Sequence, residues 1–164
     1  MMGPLFAIFS EKVGGNILDI TWAWATYLII TGMFYILVGK LINGKNYKEK
    51  VLVAGYALNA LFTFGYLFVE NPLQLFFVQA GLGIAEAIGT PAWDTLYAKN
   101  INHGMDSYAW GLSTGQSQIV TGFAFAIGGL VTHFISFEAL FITMGSIQIL
   151  AAIVTSQLLF TRKK

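Results

Sequence analysis

Cysteine is absent from this sequence, and charged side chains are scarce. Without cysteine there is no disulfide, no thiolate nucleophile and no cysteine-ligated metal site. Asp, Glu, Lys and Arg make up 10% of the chain, whereas a soluble domain carries about 25%. Because so few charges cannot cover a water-facing surface, a water-soluble apolar helical bundle is a poor alternative. The net charge of +1 does not indicate a nucleic-acid partner.

Long apolar runs take the place of charge: 56% of the 164 residues are hydrophobic, and the mean hydropathy is +0.68. A helix needs about 20 mostly apolar residues to cross the hydrocarbon core of a bilayer. Five windows meet this requirement, and we name them spans A to E: 17–41, 51–69, 72–98, 108–134 and 137–160. Their short polar joints make neighbouring helices antiparallel. The sequence therefore predicts an all-α, polytopic transmembrane bundle, a single domain over 1–164 with the lipid bilayer as its surroundings.

The apolar segment 1–10, ahead of span A, is too short to cross a bilayer. It lacks the basic start and the cleavage site of a signal peptide. Three explanations are open: the tail of a span whose beginning is missing, an interfacial helix, or a true start that lies upstream. Because residues 11–16 are typical of a loop outside the membrane, we favour a partial helix under the first or third explanation.

Basic residues fall almost entirely on one side of the predicted bundle. If spans A to E alternate in direction, all nine Lys and Arg residues except Lys12 lie at the A–B joint, the C–D joint or the tail. Cytoplasmic loops hold the excess of Lys and Arg. We therefore predict a multi-pass protein of the cell (inner) membrane with a cytoplasmic C-terminus.

Polar side chains within a span are costly in lipid and mark candidate sites. At about 100° per residue, span C places Gln79, Glu86, Thr90 and Asp94 within one arc. Glu86 lies near mid-depth, where its carboxyl group can carry a proton or bind a cationic substrate; the alternative is a hydrogen-bonded structural residue. Asp94 is a weaker candidate, because it can reach the cytoplasmic interface or pair with Lys99.

Small residues form two further stripes, which allow another helix to approach closely. On span C the stripe lies on a different face from the polar arc and contains Gly81, Ala85 and Gly89. On span D it recurs every seven residues and contains Gly115, Gly122 and Gly129. The polar residues Ser113 and Gln116 lie on another side of span D and are candidates for a cavity wall. Span B, with only Asn59 and Thr63 well inside it, is interpreted as lipid-facing scaffold.

Catalytic and metal-binding patterns are missing from the sequence. His103 and His133 are far apart and have no acids at ligand spacing nearby. The glycines of Gly81–Gly83 do not follow a strand and therefore do not form a dinucleotide-binding turn. We accordingly predict neither an enzyme nor a cofactor. A membrane enzyme would need a convergent set of acids, bases or metal ligands.

The joint after span A, GKLINGKNYKEKVL, is similar to the signature between helices 2 and 3 of the major facilitator superfamily. Gly39, Leu41, Lys48 and Lys50 fit that signature, and Asn43 stands where it has an Asp.

Two other stretches resemble the same family. The segment GLGIAEAIGTPAWDTLYAKN, 81–100, is similar to helix 4 with its Gly-rich middle and its Pro. Span D contains AIGGL, 126–130, where the antiporter signature of the family has a Pro ahead of the glycine pair. Phe125 stands there instead, so the antiporter signature is not matched.

The resemblance implies one six-helix half of a transporter, with segment 1–10 as the end of helix 1 and spans A to E as helices 2 to 6. In that family helices 1, 4 and 5 help to line the central cavity, in agreement with the polar groups of spans C and D. Such a half moves a small solute, unidentified here, by alternating access against a counterpart, with protons coupled through Glu86. The counterpart is a second copy in a homodimer or another chain; the alternative is a non-transporting membrane subunit or a truncated remnant.

Overall fold

A computed structural model of the chain describes residues 3–101, 104–157 and 159. Within these residues every regular element is helical, which confirms the all-α prediction. The elements are α1 (Leu5–Lys12), α2 (Ile17–Ile42), α3 (Lys48–Gly65) continued by a 3₁₀ turn (Tyr66–Phe68), α4 (Pro72–Lys99), α5 (Asp106–Phe134) and α6 (Phe137–Ser156).

Five of these helices, α2 to α6, are long and apolar enough to cross a membrane, and they correspond to spans A to E. Span B begins three residues earlier than predicted, at Lys48, and the helix of span E ends at Ser156 rather than at residue 160. Residue 160 and the basic tail 162–164 lie outside the described residues, as does His103. The cytoplasmic position of the C-terminus therefore stays a prediction.

Polar side chains cap the first turns of α2, α4 and α6. Asn16 and Asp19 form a capping box at the start of α2: the Asn16 side chain accepts the Asp19 N–H at 3.1 Å, and the Asp19 carboxylate accepts the Asn16 N–H at 2.9 Å. Asn71 caps α4 directly before Pro72, and the Ser136 hydroxyl caps α6. Each cap contributes about 0.5–2 kcal/mol and sets where the helix begins.

The N-terminal segment forms a helix that continues to Lys12, so Glu11 and Lys12 are helical rather than part of the predicted loop. The Phe9 ring of this helix lies among three aromatic side chains. The distances between ring centroids are 5.8 Å to Tyr66, 5.3 Å to Phe137 and 4.8 Å to Phe141. Phe6, Phe9 and Ser10 are buried against the bundle, whereas Ile8 is 54% exposed. The segment therefore packs by one face, and the choice among its three explanations stays a prediction.

The central helix is α4, which packs against α2 on one side and α3 on the other, while α3 also packs against α6. The backbones of α3 and α4 come close together at two glycines: a Cβ built on Gly55 would lie 2.5 Å from the Cα of Gly89. Gly81 makes room for the ring of Phe62 of α3, and Ala85 is buried beside the same helix. The small-residue stripe of span C therefore lies against α3. One side of α3 packs against α4 and α6, whereas Ala54, Ala57 and Leu61 form an exposed stripe along it, so its interpretation as lipid-facing scaffold stays a prediction for that stripe alone.

The glycine stripe of α5 makes no comparable contact. A Cβ built on any of Gly115, Gly122 and Gly129 would have no heavy atom within 4 Å. The helix meets the bundle elsewhere: the Tyr97 hydroxyl donates to the Ala109 carbonyl at 2.6 Å, and the Phe125 ring contacts Gly3. The close helix contact predicted for this stripe is therefore not made within the described residues, because the stripe faces away from α4 and α6.

The contrast between packed and open glycines predicts opposite effects of the same substitution. We expect Gly55→Ala to destabilise the protein by about 1–3 kcal/mol, because its methyl group overlaps the backbone of α4. Gly32→Ala adds the same group to α2, where no heavy atom lies within 4 Å and alanine is favoured in a helix by about 1 kcal/mol. Thermal unfolding of detergent-purified protein should give a lower midpoint for Gly55→Ala only. Equal shifts for the two variants would contradict the α3–α4 contact.

Candidate functional site

Glu86 lies at the middle of α4, partly buried, with hydroxyl groups from three helices around it. The Thr90 hydroxyl, one turn along α4, donates to the Glu86 carboxylate at 2.9 Å. The phenol of Tyr35, from α2, interacts with both the Thr90 and the Glu86 side chains. Tyr27 of α2 and Tyr56 of α3 also lie within electrostatic range of the carboxylate. In the part of the chain that the structure describes, no cationic side chain forms an ion pair with Glu86.

A cavity of about 290 Å³ lies beside Glu86, between α3, α4 and α5. Its walls combine one carboxylate with neutral polar and aromatic side chains. These lining residues are Tyr56, Asn59, Glu86, Thr90, Trp93 and Ser117. The small residues Gly55, Ala85 and Gly89 line it as well, at the place where α3 and α4 touch. Close backbone contact on one side of α4 thus coexists with an open space on the next face.

Helical spacing explains how the sequence builds this site. Residues three or four apart share a helix face, and those seven apart lie two turns along it. Glu86, Thr90 and Trp93 follow this spacing on α4 and all line the cavity. On α2, Tyr27 and Tyr35 are eight residues apart, and Thr31 between them packs against Gly83 of α4. The contact at Gly83 therefore brings the tyrosine face of α2 towards α4.

Of the polar arc predicted on span C, the structure brings Glu86 and Thr90 together at the cavity, whereas Gln79 and Asp94 do not line it, although Asp94 lies within electrostatic range of Tyr35. Gln79 is buried near the start of α4, where its side-chain oxygen accepts the Tyr66 hydroxyl at 2.9 Å. It belongs to the aromatic core around Phe9 and does not line the cavity. Asp94 is exposed near the end of α4 and makes no ion pair with Lys99 in the described chain. An arc of one helix was therefore not sufficient to define a common site.

On span D the predicted cavity residues are displaced from the cavity by about one position or one turn. Ser117 is the lining residue that α5 contributes, and neither Gln116 nor Ser113 is among the lining residues. Gln116 is the neighbour of Ser117 in sequence and lies on another side of α5, and Ser113 lies one turn before Ser117 on the same side.

The sequence interpretation missed Tyr27, Tyr35, Tyr56 and Ser117, and it did not assign Asn59 to a site. One local signal was available: Tyr27, Thr31 and Tyr35 recur every four residues on span A. No comparable signal pointed to Tyr56, because its position opposite Glu86 depends on the contact between Gly55 and Gly89.

The signature joint between α2 and α3 forms a compact turn at the far end of the bundle from α1. Asn43 ends α2, and Gly44 follows with a φ of 68°, in the left-handed region that glycine tolerates. Lys48 is buried, and its ammonium group donates to the Lys45 carbonyl at 3.1 Å, whereas Lys50 is exposed. Gly39 lies in the last turn of α2 with no close neighbour. Of this joint only its last residue, Leu52 of α3, lines the cavity beside Glu86.

Comparison with known proteins agrees with this architecture. The family model of the Major Facilitator Superfamily matches residues 1–164. The chain is 28% identical over 138 residues to the "Proton-coupled antiporter flippase LtaA" of Staphylococcus haemolyticus, an alignment that covers 80% of this chain and 34% of that protein. The LtaA protein of Staphylococcus saprophyticus is 24% identical over 134 residues, with the same coverage. That of Staphylococcus epidermidis is 26% identical over 92 residues, which cover 56% of this chain and 23% of the relative.

The chain thus spans about a third of the length of the curated relatives it matches over most of its length. No solved structure matches it significantly. Five membrane-length helices, the layout of the joints and the match of the family model over 1–164 lead to one conclusion. The chain belongs to the major facilitator superfamily.

Proposed function

We propose that this chain is part of a proton-coupled transporter and that Glu86 carries the coupling proton. The observation that carries the proposal is the position of Glu86: among the described residues of the five long helices, it is the one acidic or basic residue near the middle of a helix. Ionisable residues at that depth are expensive in lipid and typically mark ion or proton pathways. The relatives named as proton-coupled antiporters support the same activity.

The surroundings of Glu86 suit a carboxyl group that must exist in two forms. When ionised, it needs hydrogen-bond donors, because an isolated charge in apolar surroundings is very costly. Thr90 supplies one donor at 2.9 Å, and Tyr35 offers a second. When protonated, the group is neutral and fits a membrane interior without a counter-ion. Glu86 can therefore take up a proton with the cavity open to one side and release it with the cavity open to the other.

In transporters of this architecture, alternating access is a rigid-body motion of one helical half against the other around a binding site near the middle of the membrane. We propose that a second half, either another copy of this chain or a separate segment, covers the exposed face of α5. The open space at Gly115, Gly122 and Gly129 supports this, because glycines allow two helices to approach closely in a membrane. We propose a small molecule or a lipid as the solute. We also propose that the protein lies in the cell membrane with its C-terminus in the cytoplasm.

Substitution of Glu86 tests the coupling role directly. The intact protein is reconstituted into vesicles, and proton movement is followed with an enclosed pH-sensitive dye while gradients of candidate solutes or lipids are imposed. Glu86→Gln keeps the size and hydrogen bonding of the side chain but cannot exchange a proton. We expect its solute-dependent proton movement to fall to that of empty vesicles.

Glu70→Gln is the matched control, because Glu70 lies exposed in the joint before α4 and should leave proton movement unchanged. Wild-type proton movement in the Glu86→Gln variant would show that Glu86 is not the coupling residue. A wild-type protein that moves no protons with any solute, even together with its second half, would favour the non-transporting subunit instead.

The Thr90 hydroxyl should support the coupling role of Glu86, because it donates a hydrogen bond to the carboxylate at 2.9 Å. A hydrogen bond to a charged group contributes about 1.5–3 kcal/mol. Thr90→Val removes this donor and keeps the shape of the side chain. We expect the rate of solute-dependent proton movement in vesicles to fall about tenfold, since about 1.4 kcal/mol corresponds to a tenfold change in rate.

Thr95→Val provides the control on the same helix, since the Thr95 hydroxyl donates to the Pro91 carbonyl at 2.8 Å and not to Glu86. Its rate of proton movement should match that of the wild type. Equal rates for Thr90→Val and the wild type would contradict a role for the Thr90–Glu86 hydrogen bond in coupling.

A further inference from the structure

The cavity beside Glu86 contains a single formal charge, and that charge is negative. Its other polar side chains, at Asn59, Thr90 and Ser117, are neutral, and none of its lining residues is Lys, Arg or His. A bound anion would therefore meet an uncompensated carboxylate in low-dielectric surroundings, where like charges repel strongly. A bound cation would neutralise the carboxylate. The charge of the cavity selects for a cationic ligand.

Aromatic side chains in the cavity wall also favour a cationic ligand. Trp93 and Tyr56 line the cavity together with Glu86, and the faces of such rings attract organic cations. The Trp93 indole stacks on the Tyr97 ring, with centroids 6.0 Å apart and planes at 18° to each other. Tyr97 is in turn tied to α5 by its hydrogen bond to the Ala109 carbonyl. One face of the indole is thus held in place, and the side chain is still 43% exposed and accessible to a ligand.

The size of the cavity limits the ligand. Its volume of about 290 Å³ is at the lower end of the range of about 300–1,000 Å³ for small-molecule sites. A compact headgroup fits, and a large multi-ring molecule does not. Asn59 and Ser117 can form hydrogen bonds with a hydroxyl or ester oxygen next to the cationic centre.

We propose that this cavity binds a small organic ammonium group, with Glu86 as its counter-ion and Trp93 and Tyr56 as its aromatic walls. The ammonium group belongs either to a free amine or to the headgroup of a lipid. The proposal rests on the proposed function, because it makes Glu86 the site of both the proton and the solute.

Because the proton and the ammonium group compete for the Glu86 carboxylate, the movement of one is coupled to the movement of the other. When the ammonium ion binds to protonated Glu86, the O–H bond breaks, one proton leaves to water, and the carboxylate pairs with the incoming cation. The charge of the loaded site is zero with either partner. Each cation that enters displaces one proton, which is the stoichiometry of an exchange.

Binding of choline to the purified full chain tests the proposal. The reference probe is 3,3-dimethylbutanol, which has the shape of choline with carbon in place of the charged nitrogen. We expect each choline that binds to protonated Glu86 to release one proton. We also expect choline to bind at least tenfold more tightly than the neutral probe, as about 1.4 kcal/mol of charge-dependent attraction would give. Isothermal titration calorimetry in two buffers of different ionisation heat measures both affinity and proton release.

Three variants connect this binding to the named residues. Glu86→Gln should abolish choline binding, and Glu86→Asp, which keeps the charge, should restore a measurable part of it. Trp93→Leu should weaken choline binding about 3- to 30-fold and leave the neutral probe little changed. Trp22→Leu is the matched control, because Trp22 is an exposed tryptophan of α2 outside the cavity.

The outcomes separate this proposal from the coupling role of Glu86. If Glu86→Gln abolishes proton movement in vesicles but wild-type protein binds choline no better than the neutral probe, the ammonium site is wrong and the coupling role stands. If the variant keeps proton movement but loses choline binding, the ammonium site stands and the coupling role is wrong. Transfer of labelled phosphatidylcholine, with phosphatidylglycerol as reference, supports a lipid headgroup, and uptake of choline alone supports a free amine. Failure of both ammonium probes to bind or move overturns the proposal.

Discussion

The contact between the backbones of α3 and α4 at Gly55 and Gly89 is the constraint on which the rest of the site depends. Side chains of ordinary size would hold these helices several ångströms further apart. Because the residues next to the contact are Tyr56 and Thr90, the close approach brings an α3 phenol towards the acidic centre of α4. Gly83 likewise allows α2 to approach α4, because the Tyr27 carbonyl and the Thr31 side chain occupy the space that a Cβ on Gly83 would need. Glycine thus positions polar groups here by leaving space for them.

Glu86 illustrates how a membrane interior can accommodate a carboxyl group without a cationic partner. Its hydrogen-bond donor, the Thr90 hydroxyl, is neutral, and the groups that interact with it from α2 and α3 are phenols. Neutral donors stabilise the ionised form less than a fixed cation does, so the proton can return. The relatives are named antiporters, yet Phe125 stands where the antiporter signature has Pro. In this fold the Phe125 ring contacts Gly3 and thereby connects α5 to the start of α1.

Much of the fold could be predicted because the properties that specify it are local. Apolar length defined the five long helices, and the caps at Asn16, Asn71 and Ser136 place their first residues within a few positions of the predicted bounds. Contacts between helices could not be predicted in the same way. The α5 glycines were expected to let another helix approach, and within the described residues that face of the helix is open. Segment 1–10 was too short to classify by length, and only the structure shows that it places Phe9 among three rings.

The sequence by itself determined that this is a membrane-spanning helical protein and that Glu86 is its most unusual residue, because an apolar run and a charge within it are visible without knowing any neighbour. The tertiary structure alone decided which groups share a site with Glu86. It placed Tyr56, Asn59 and Ser117 around the cavity, and it moved Gln79 into the aromatic core. The physical reason is that helix rotation and separation depend on packing between segments far apart in the chain, whereas residue periodicity describes one helix at a time.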